Sequence, residues 1–314
     1  MKIALYYPAV LPVSGYGGAE RVVVNQVRGL AARGHQVTLL AGAGTRVAEA
    51  TVVPLPDVDD LGRPWEFDRY LPAGIEIFVA NAALKRPPTT VPWVEVLHGN
   101  RRPGVVGAPN TIHISRDHAQ RHGSNCWVYN GVDPDEVEFR AHKGSFDLFL
   151  GRLNAVKGYH WAIAAAKRLD RSLVVAGAWR PSLDRRIKFV GGVGGARKSA
   201  LMAEARLFWM PALWDEPFGM TLVEAMASGT PILGTRRGAL PEIVTSDVGR
   251  LGADLNELME LVPGCEAIAP EACRARFEKY FTHHVMAAEY ERVLQEFVAT
   301  GKLPAGRSPE ERGA

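Results

Sequence analysis

The sequence predicts an α/β protein built from two similar domains, and three observations lead to this prediction. Short apolar runs that suit buried strands alternate with stretches whose apolar residues recur at helical spacing, which is the pattern of a parallel sheet covered on both faces. This alternation starts again after Asp133. The chain of 314 residues is also long enough for two domains of about 150 residues each.

The first half begins with an apolar strand over 3–7 and a glycine-rich turn at 15–18. A helix is predicted next, because apolar residues recur every three or four positions up to Gly34, a residue typical of helix C-termini. Further strands are predicted over 37–40, 51–53, 76–80, 93–97, 111–114 and 127–129.

The second half repeats the alternation and closes on a long helix. An apolar stripe from Met286 to Phe297 predicts that last helix. The polar residues from Gly301 onward, with their Pro and Gly, predict a flexible tail. Strands are predicted over 147–150, 173–176, 188–190, 207–210 and 232–233, and helices over 159–169, 200–205 and 221–227.

Composition and charge narrow the class of protein. Hydrophobic residues make up 47% and charged residues 23%, as in ordinary globular proteins. The 37 basic and 34 acidic residues give a net charge of +3, which is too balanced for a nucleic-acid binder. The small basic surplus suits an anionic ligand or a peripheral contact with a membrane surface.

The cysteines and the apolar runs indicate a cytoplasmic protein. Cys126, Cys265 and Cys273 are few and odd in number, which predicts no disulfide framework and a reducing compartment. No apolar run reaches the ~18 residues that a membrane span needs. Pro8 and Pro12 interrupt the apolar N-terminal stretch, which favours a first strand over a signal peptide.

The most informative segment holds two glutamates, Glu216 and Glu224, eight positions apart. Gly219 is predicted to begin a helix, so the amides of Met220 and Thr221 and the positive end of the helix dipole are free for an anion. Glu216 precedes this helix and Glu224 lies about a turn inside it. This arrangement suits a nucleotide sugar, which carries hydroxyls on either side of a diphosphate.

Two loops that follow strands add further candidates. Arg152 and Lys157 place two cations in one strand-to-helix loop, where they either stabilise a departing diphosphate without a metal or form a solvated basic loop. Gly17 and Gly18 follow the first strand, either as a tight turn or as a place where phosphate approaches the backbone. They are not a dinucleotide fingerprint, because Glu20 stands where the third glycine is required.

His98 and the segment 130–133 can each be explained by a structural role as well as by a functional one. His98 ends an apolar strand, and a lone histidine at such a place is more often structural than catalytic. The segment Asn130-Gly131-Val132-Asp133 reads as a turn.

Taken together, these motifs resemble those of the retaining, GT4-type (group 1) glycosyltransferases. The segment from Trp214 to Pro231 is similar to their E-x7-E signature, and the loop around Arg152 and Lys157 is similar to their G-R-L…K-G loop. The Gly-Gly-x-Glu at 17–20 and the Asn-Gly-Val-Asp turn also match. The resemblance extends from about residue 17 to about residue 297 and is strongest over 149–245.

The resemblance implies a GT-B architecture, in which two Rossmann-like domains face each other across a cleft. It implies transfer of a hexose-type sugar from a UDP- or GDP-linked donor to a hydroxyl of a glycan, glycolipid or natural product. The reaction would retain the anomeric configuration and need neither a metal nor another cofactor. The expected parts are an acceptor domain over 1–135, a donor domain over 136–281, a helix over 282–300 that returns to the first domain, and a flexible tail over 301–314.

The resemblance also implies roles for individual residues. Glu216 would contact hydroxyls of the donor sugar, Glu224 would bind the ribose, and His98 would lie beside the transferred sugar or the acceptor. No residue presents itself as a nucleophile, so a front-face mechanism would depend on positioning and on stabilising the leaving group. Arg152, Lys157, Gly18 and the amides of Met220 and Thr221 would hold the diphosphate. The other residues implied to bind the donor are Gly17, Phe218 and Gly219. The residues implied to take part in catalysis are Glu216, His98, Arg152 and Lys157.

Three rival functions remain open at this point. A nucleotide-sugar epimerase could use the same fold and glutamates without an acceptor. A non-enzymatic, two-lobed sugar-binding protein is a second alternative, although such proteins are usually exported. A metal-dependent transferase of the other glycosyltransferase fold would need a real D-x-D site at 57–59 or 133–135.

Two further motifs are weaker. His118 and His122 stand four apart on a predicted helix, near His113 and Cys126, which makes a zinc site conceivable. That helix is expected to be exposed, and no carboxylate is evident to support the histidines. The segment 192–199 is not a phosphate loop, because Arg197 occupies the position of its second glycine.

Overall fold

The computed structural model describes residues 1–13, 15, 17–55, 66–102 and 104–313. The chain divides into two compact units, each with its own sheet. The first unit comprises Met1–Val13, Gly17–Gly131 and Thr282–Ala314, and the second consists chiefly of Val132–Phe281.

The first unit contains a parallel sheet of six strands in the order β3-β2-β1-β4-β5-β6. Its strands form from apolar runs, and an aromatic cluster of Tyr6, Phe67 and Phe78 packs in its core with ring centroids 4.7 to 6.3 Å apart. The elements are β1 (Lys2–Tyr6), α1 (Ala19–Ala32), β2 (Gln36–Gly42), β3 (Thr51–Leu55), β4 (Ile77–Ala80), β5 (Trp93–Leu97), β6 (Thr111–His113) and α2 (Arg116–Arg121).

The second unit contains another parallel sheet of six strands, in the order β12-β11-β10-β7-β8-β9. Helices connect most of its strands, as expected for parallel neighbours, whereas a loop over 177–186 without a helix joins β8 to β9. The elements are β7 (Phe146–Leu150), α3 (Tyr159–Arg168), β8 (Ser172–Ala176), β9 (Ile187–Phe189), α4 (Gly195–Glu204), β10 (Phe208–Met210), α5 (Met220–Ala227), β11 (Ile232–Thr235), α6 (Leu240–Ile243), β12 (Gly249–Gly252), α7 (Leu255–Glu260), α8 (Val262–Glu266) and α9 (Pro270–Tyr280).

The last helix, α10 (His283–Thr300), belongs to the first unit and packs on α1. Its predicted apolar stripe is buried except at Phe297, which is partly exposed. Arg33 at the end of α1 donates a hydrogen bond from Nε to Oε2 of Glu291 at 2.6 Å. The structure therefore confirms the predicted α/β class, the two sheets and the return of the final helix.

Three sequence-based expectations about local structure are wrong or incomplete. Residues 127–129 do not form a strand, because only Trp127 makes a bridge, to His113. The strand β12 and the helices α6 to α9 were not predicted. The sequence of β12, Gly-Arg-Leu-Gly, lacks the β-branched residues that mark a strand.

The segment after Gly301 is not a free tail over its described part, 301–313. The amide of Gly306 donates to the carbonyl of Asn125 at 2.8 Å, and Arg307 Nε donates to Oε2 of Glu289 at 3.2 Å. Glu289 is buried on α10. A buried carboxylate requires charged partners, and this requirement holds the segment against the first unit.

Candidate functional site

The loops that carry the main candidates lie at one edge of the second sheet. Strands β7 and β10 are parallel neighbours, so the loop 151–158 after β7 lies beside the loop 211–219 after β10. The two loops are joined by a hydrogen bond from the amide of Leu213 to the carbonyl of Val156, at 2.8 Å. The sheet order therefore brings the Arg152–Lys157 loop next to the start of α5.

The start of α5 offers two unused main-chain donors. Gly219 precedes the helix with φ +89°, a left-handed conformation that favours glycine. In the part of the chain that the structure describes, the amides of Met220 and Thr221 donate no hydrogen bond. Together with the helix dipole, these amides form the expected anion-binding end.

Glu216 is buried beside this helix start, 7% exposed. One of its oxygens, Oε2, accepts hydrogen bonds from Lys157 Nζ at 2.6 Å and from Trp214 Nε1 at 3.0 Å. The Lys157 ammonium also lies 4.7 Å from the centre of the Trp214 ring. The other oxygen, Oε1, accepts no hydrogen bond from any described residue, which leaves it available to a hydroxyl.

Glu224 lies inside α5, also 7% exposed, and pairs with a lysine that the sequence analysis missed. Lys198 Nζ, in the first turn of α4, lies 2.5 Å from Oε1 of Glu224. The signal that could have identified Lys198 is its position just after the glycine-rich loop that follows β9. The pair of Lys198 and Glu224 connects α4, which follows β9, to α5, which follows β10.

Arg152 and Phe218, two candidate donor-binding residues of the second unit, differ in how accessible their side chains are to a ligand. Arg152 is exposed and has neither a hydrogen-bond partner nor an ion-pair partner among the described residues, so its guanidinium is free for an anion. Phe218 is 1% exposed, and its ring packs on Phe281 with centroids 6.3 Å apart. The Phe218 side chain is therefore part of the core.

His98 lies in the first unit, just after β5, and is held by two residues that the sequence analysis did not identify. Its Nε2 lies 2.9 Å from Oδ1 of Asn81, and Asn81 Nδ2 donates to Oε1 of Gln26 at 3.0 Å. Because Nδ2 of Asn81 is the donor toward Gln26, its Oδ1 accepts, and Nε2 of His98 carries the proton. Burial lowers the pKa of His98 to about 4, so the ring is neutral at pH 7.

The two glycines after β1 have different surroundings. A Cβ on Gly17 would lie 2.6 Å from Cγ2 of Val13, so packing alone requires glycine there. A Cβ on Gly18 would meet nothing within 4 Å. Gly18 precedes α1 and faces open space, as a backbone approached by a ligand would.

The histidine cluster is a packed structural group. His118 is fully buried, so the expectation of an exposed helix is wrong at this position. Its Nε2 is 3.2 Å from the carbonyl of Gly99, and His122 Nδ1 is 2.9 Å from the carbonyl of His118. Burial lowers the pKa of His113 to about 4 and that of His118 to about 2. All three cysteines, including Cys126, are buried and free.

Neither acidic triplet gains support as a metal site. Oδ1 of Asp133 accepts the amide of Asp135 at 3.0 Å and caps a short 3-10 turn, while the triplet at 57–59 lies outside the described residues. Within the described ranges, no group of three or more His, Cys, Asp or Glu side chains is placed to hold a metal ion. Over the same ranges, no helix is both long and apolar enough to cross a membrane.

Comparisons with known families give a consistent result. Residues 135–257 match the family described as glycosyl transferases group 1, and residues 16–109 match glycosyltransferase family 4. The first match contains the loop with Arg152 and Lys157 and both glutamates, and the second contains the glycines after β1 and His98.

Individual proteins show the same likeness. The glycogen synthase of Mycobacterium tuberculosis (strain H37Rv) is 28% identical over 212 residues, which cover 58% of this chain and 51% of that protein. The phosphatidyl-myo-inositol mannosyltransferase of Mycolicibacterium smegmatis is 32% identical over 145 residues, covering 40% and 38%. The chain thus spans about half the length, or less, of these curated relatives.

A solved structure resembles the whole chain. AviGT4, a glycosyltransferase involved in avilamycin A biosynthesis, superposes with a TM-score of 0.78 and 27% identity, covering 95% of this chain and 98% of that one. The two six-stranded parallel sheets thus correspond to the GT-B fold of glycosyltransferases.

Proposed function

Since the chain belongs to the GT4-type, group 1 glycosyltransferases, we propose that it moves a hexose-type sugar from a UDP- or GDP-linked donor to an acceptor hydroxyl. We further propose that the reaction retains the anomeric configuration and needs no metal. The observation that carries this proposal is the start of α5, where two unused amides face the same sheet edge as the unpaired Arg152.

In this proposal the diphosphate of the donor binds to the second unit. The amides of Met220 and Thr221 and the Arg152 guanidinium donate to phosphate oxygens, and Lys157 lies in the same loop as Arg152. When the bond between the anomeric carbon and the phosphate oxygen breaks, negative charge grows on the phosphate. Donors that are already in position stabilise that charge most strongly in the transition state.

The acceptor oxygen forms its bond to the anomeric carbon on the face that the phosphate leaves. The acceptor proton passes to the leaving phosphate oxygen, so no protein nucleophile takes part. Glu216 accepts a hydrogen bond from a sugar hydroxyl through its unused Oε1, while Lys157 and Trp214 fix its Oε2. Such orientation is the main contribution that the chain makes to a front-face reaction.

Two further residues have proposed roles, Glu224 in the second unit and His98 in the first. Glu224 accepts hydrogen bonds from the ribose hydroxyls, with Lys198 fixing its orientation. His98, in the first unit, serves the transferred sugar or the acceptor, and the open backbone at Gly18 serves phosphate. Because His98 is neutral and its proton points at Asn81, we assign it a positioning role and not proton transfer.

The acceptor we propose is a hydroxyl-bearing glycan, glycolipid or natural product. The relatives that support this range are a glycogen synthase, a mannosyltransferase named for phosphatidyl-myo-inositol, and a transferase of avilamycin biosynthesis. A cytoplasmic location is proposed from the three free, buried thiols.

A thermal-shift panel of nucleoside diphosphates and nucleotide sugars, run in excess EDTA, tests the proposal. We expect one base to stabilise the protein both as the diphosphate and as a nucleotide sugar. The stabilising donor is then incubated with candidate acceptors, and NMR of the product reports its anomeric configuration. Stabilisation by no nucleotide would refute the proposal, and conversion of the donor to its epimer without any acceptor would replace it by the epimerase alternative.

A further inference from the structure

An exposed tryptophan lies close to the proposed donor site, in the loop that follows β8. This residue, Trp179, is 70% exposed. Among the described residues only one other large aromatic side chain is exposed, that of Phe139 at 37%. Tryptophan is mostly buried in proteins, so a largely exposed one suggests a binding role.

The loop of Trp179 is fixed against the phosphate-side loop of β7. Leu150 at the end of β7 pairs with Ala176 at the end of β8, so the two strands end at the same level. A Cβ on Gly177 would lie 1.9 Å from the carbonyl oxygen of Gly151. The residue that directly precedes Arg152 is therefore in close contact with the start of the Trp179 loop.

The same loop also contacts the segment after β9. The amide of Gly177 donates to the carbonyl of Gly191 at 2.8 Å, and a Cβ on Gly191 would lie 4.0 Å from Cβ of Trp179. Next to Trp179, Arg180 turns toward α3, where Nη1 donates to the Tyr159 hydroxyl at 3.0 Å. Arg180 is thus bound to α3, and Trp179 lies between the loop that follows β7 and the loop that follows β9.

The order of the strands indicates which part of a donor would reach Trp179. The diphosphate site is at β10 and β7, and β8 lies two strand spacings from β10, which is roughly 10 Å. Glu224, the proposed ribose ligand, is tied by Lys198 to the helix that begins after β9. The nucleoside end of the donor therefore points toward β8 and β9.

We propose that Trp179 is the platform on which the nucleobase of the donor stacks. This inference rests on the proposed function and adds to it the part of the site that binds the base. An indole ring stacks on any base, because every base has a π-face. Trp179 accordingly contributes affinity for nucleotides as a class, and the choice among bases comes from other contacts.

Calorimetric titration in EDTA with UDP, GDP and inorganic pyrophosphate tests the platform. Trp179→Ala should weaken UDP and GDP binding roughly 5- to 150-fold, as expected for the loss of one stacked base. Pyrophosphate has no base, so its affinity should change by less than about two-fold. Trp179→Phe should keep most of the affinity, since it keeps an aromatic face. Leu183→Ala is the matched control, because Leu183 is fully exposed in the same loop.

The outcomes separate this inference from the proposed function. If Trp179→Ala binds UDP and GDP like the unchanged protein while Arg152→Ala does not, the platform is refuted and the diphosphate site stands. An equal loss of pyrophosphate affinity in Trp179→Ala would also refute the platform, because the effect would not depend on the base. If the unchanged protein binds no nucleotide at all, the proposed function fails and the platform with it.

Discussion

Replacing Glu216 by alanine should affect stability, nucleotide binding and turnover to different extents. The carboxylate holds Lys157 and Trp214 through Oε2, whereas Oε1 is unused by the described residues. The variant removes both functions of the side chain at once. Glu216→Gln keeps the shape and an acceptor oxygen but removes the charge that pairs with Lys157.

The structure sets the expected magnitudes. The side chains of Lys157 and Glu216 are 13% and 10% exposed, so breaking their ion pair should cost about 3 kcal/mol of unfolding free energy, the lower end for buried pairs. Affinity for the nucleoside diphosphate should stay within about three-fold, because the phosphate donors remain and Lys157 is released toward the anion. Turnover should fall about 100-fold, or ~2.7 kcal/mol, because the lost contact acts mainly on the sugar in the transition state.

Three assays on the same preparations check these values: urea unfolding, calorimetry with UDP or GDP, and release of nucleoside diphosphate from the donor found in the thermal-shift panel. Glu257→Ala is the control, since Glu257 also pairs with a basic residue, Arg236, but at the surface of the second unit. Unchanged turnover in Glu216→Ala would show that the residue is only structural. A loss of nucleotide affinity as large as the loss of turnover would also refute the reasoning.

Three other predictions follow from individual contacts. Glu224→Gln should lower affinity for ribose nucleotides and reduce the preference over their 2′-deoxy forms; an unchanged preference in calorimetry would contradict the ribose assignment. Stability should be greatest above pH 6.5 and fall toward pH 4, by up to about 1.4 kcal/mol per pH unit for each of three histidines. His98, His113 and His118 have pKa values of about 4 or below, so the unfolded chain binds more protons than the folded chain in this range. Equal urea midpoints at pH 7.5 and 5 would contradict this. Arg307→Ala should destabilise the protein by about 1 kcal/mol, because the buried carboxylate of Glu289 loses one of its partners. An unchanged melting temperature would indicate that this contact of the segment after Gly301 does not contribute to stability.

The sequence was sufficient to predict those parts of the fold and the site that depend on short stretches of neighbouring residues. The apolar run of β7, the cations after it, and the glycine before α5 lie within short stretches, and the structure places them as predicted. The α/β class follows from the alternation of strands and helices along the chain. Both results depend on periodicity and on turn chemistry, which are visible without any long-range contact.

The partners of the key side chains could not be predicted in the same way. Lys157 and Glu216 are 59 residues apart in sequence, and Asn81 and Gln26 are 55 apart. Such pairs depend on the strand order, which periodicity does not reveal. The contact of Arg307 with Glu289 could not be predicted for the same reason. A polar segment is typical of a flexible tail, and only the structure reveals its buried partner.

The most direct test of the account is a calorimetric titration of UDP and GDP in excess EDTA. It compares the unchanged protein, Arg152→Ala, and Arg168→Ala, which alters an arginine at the end of α3 whose described hydrogen bond is to Asn256. We expect that at least one nucleotide binds without metal, that Arg152→Ala weakens its affinity roughly 10- to 150-fold, and that Arg168→Ala leaves its affinity unchanged. Absence of binding to the unchanged protein, or full affinity in Arg152→Ala, would contradict the proposal that this site holds the diphosphate of a sugar donor.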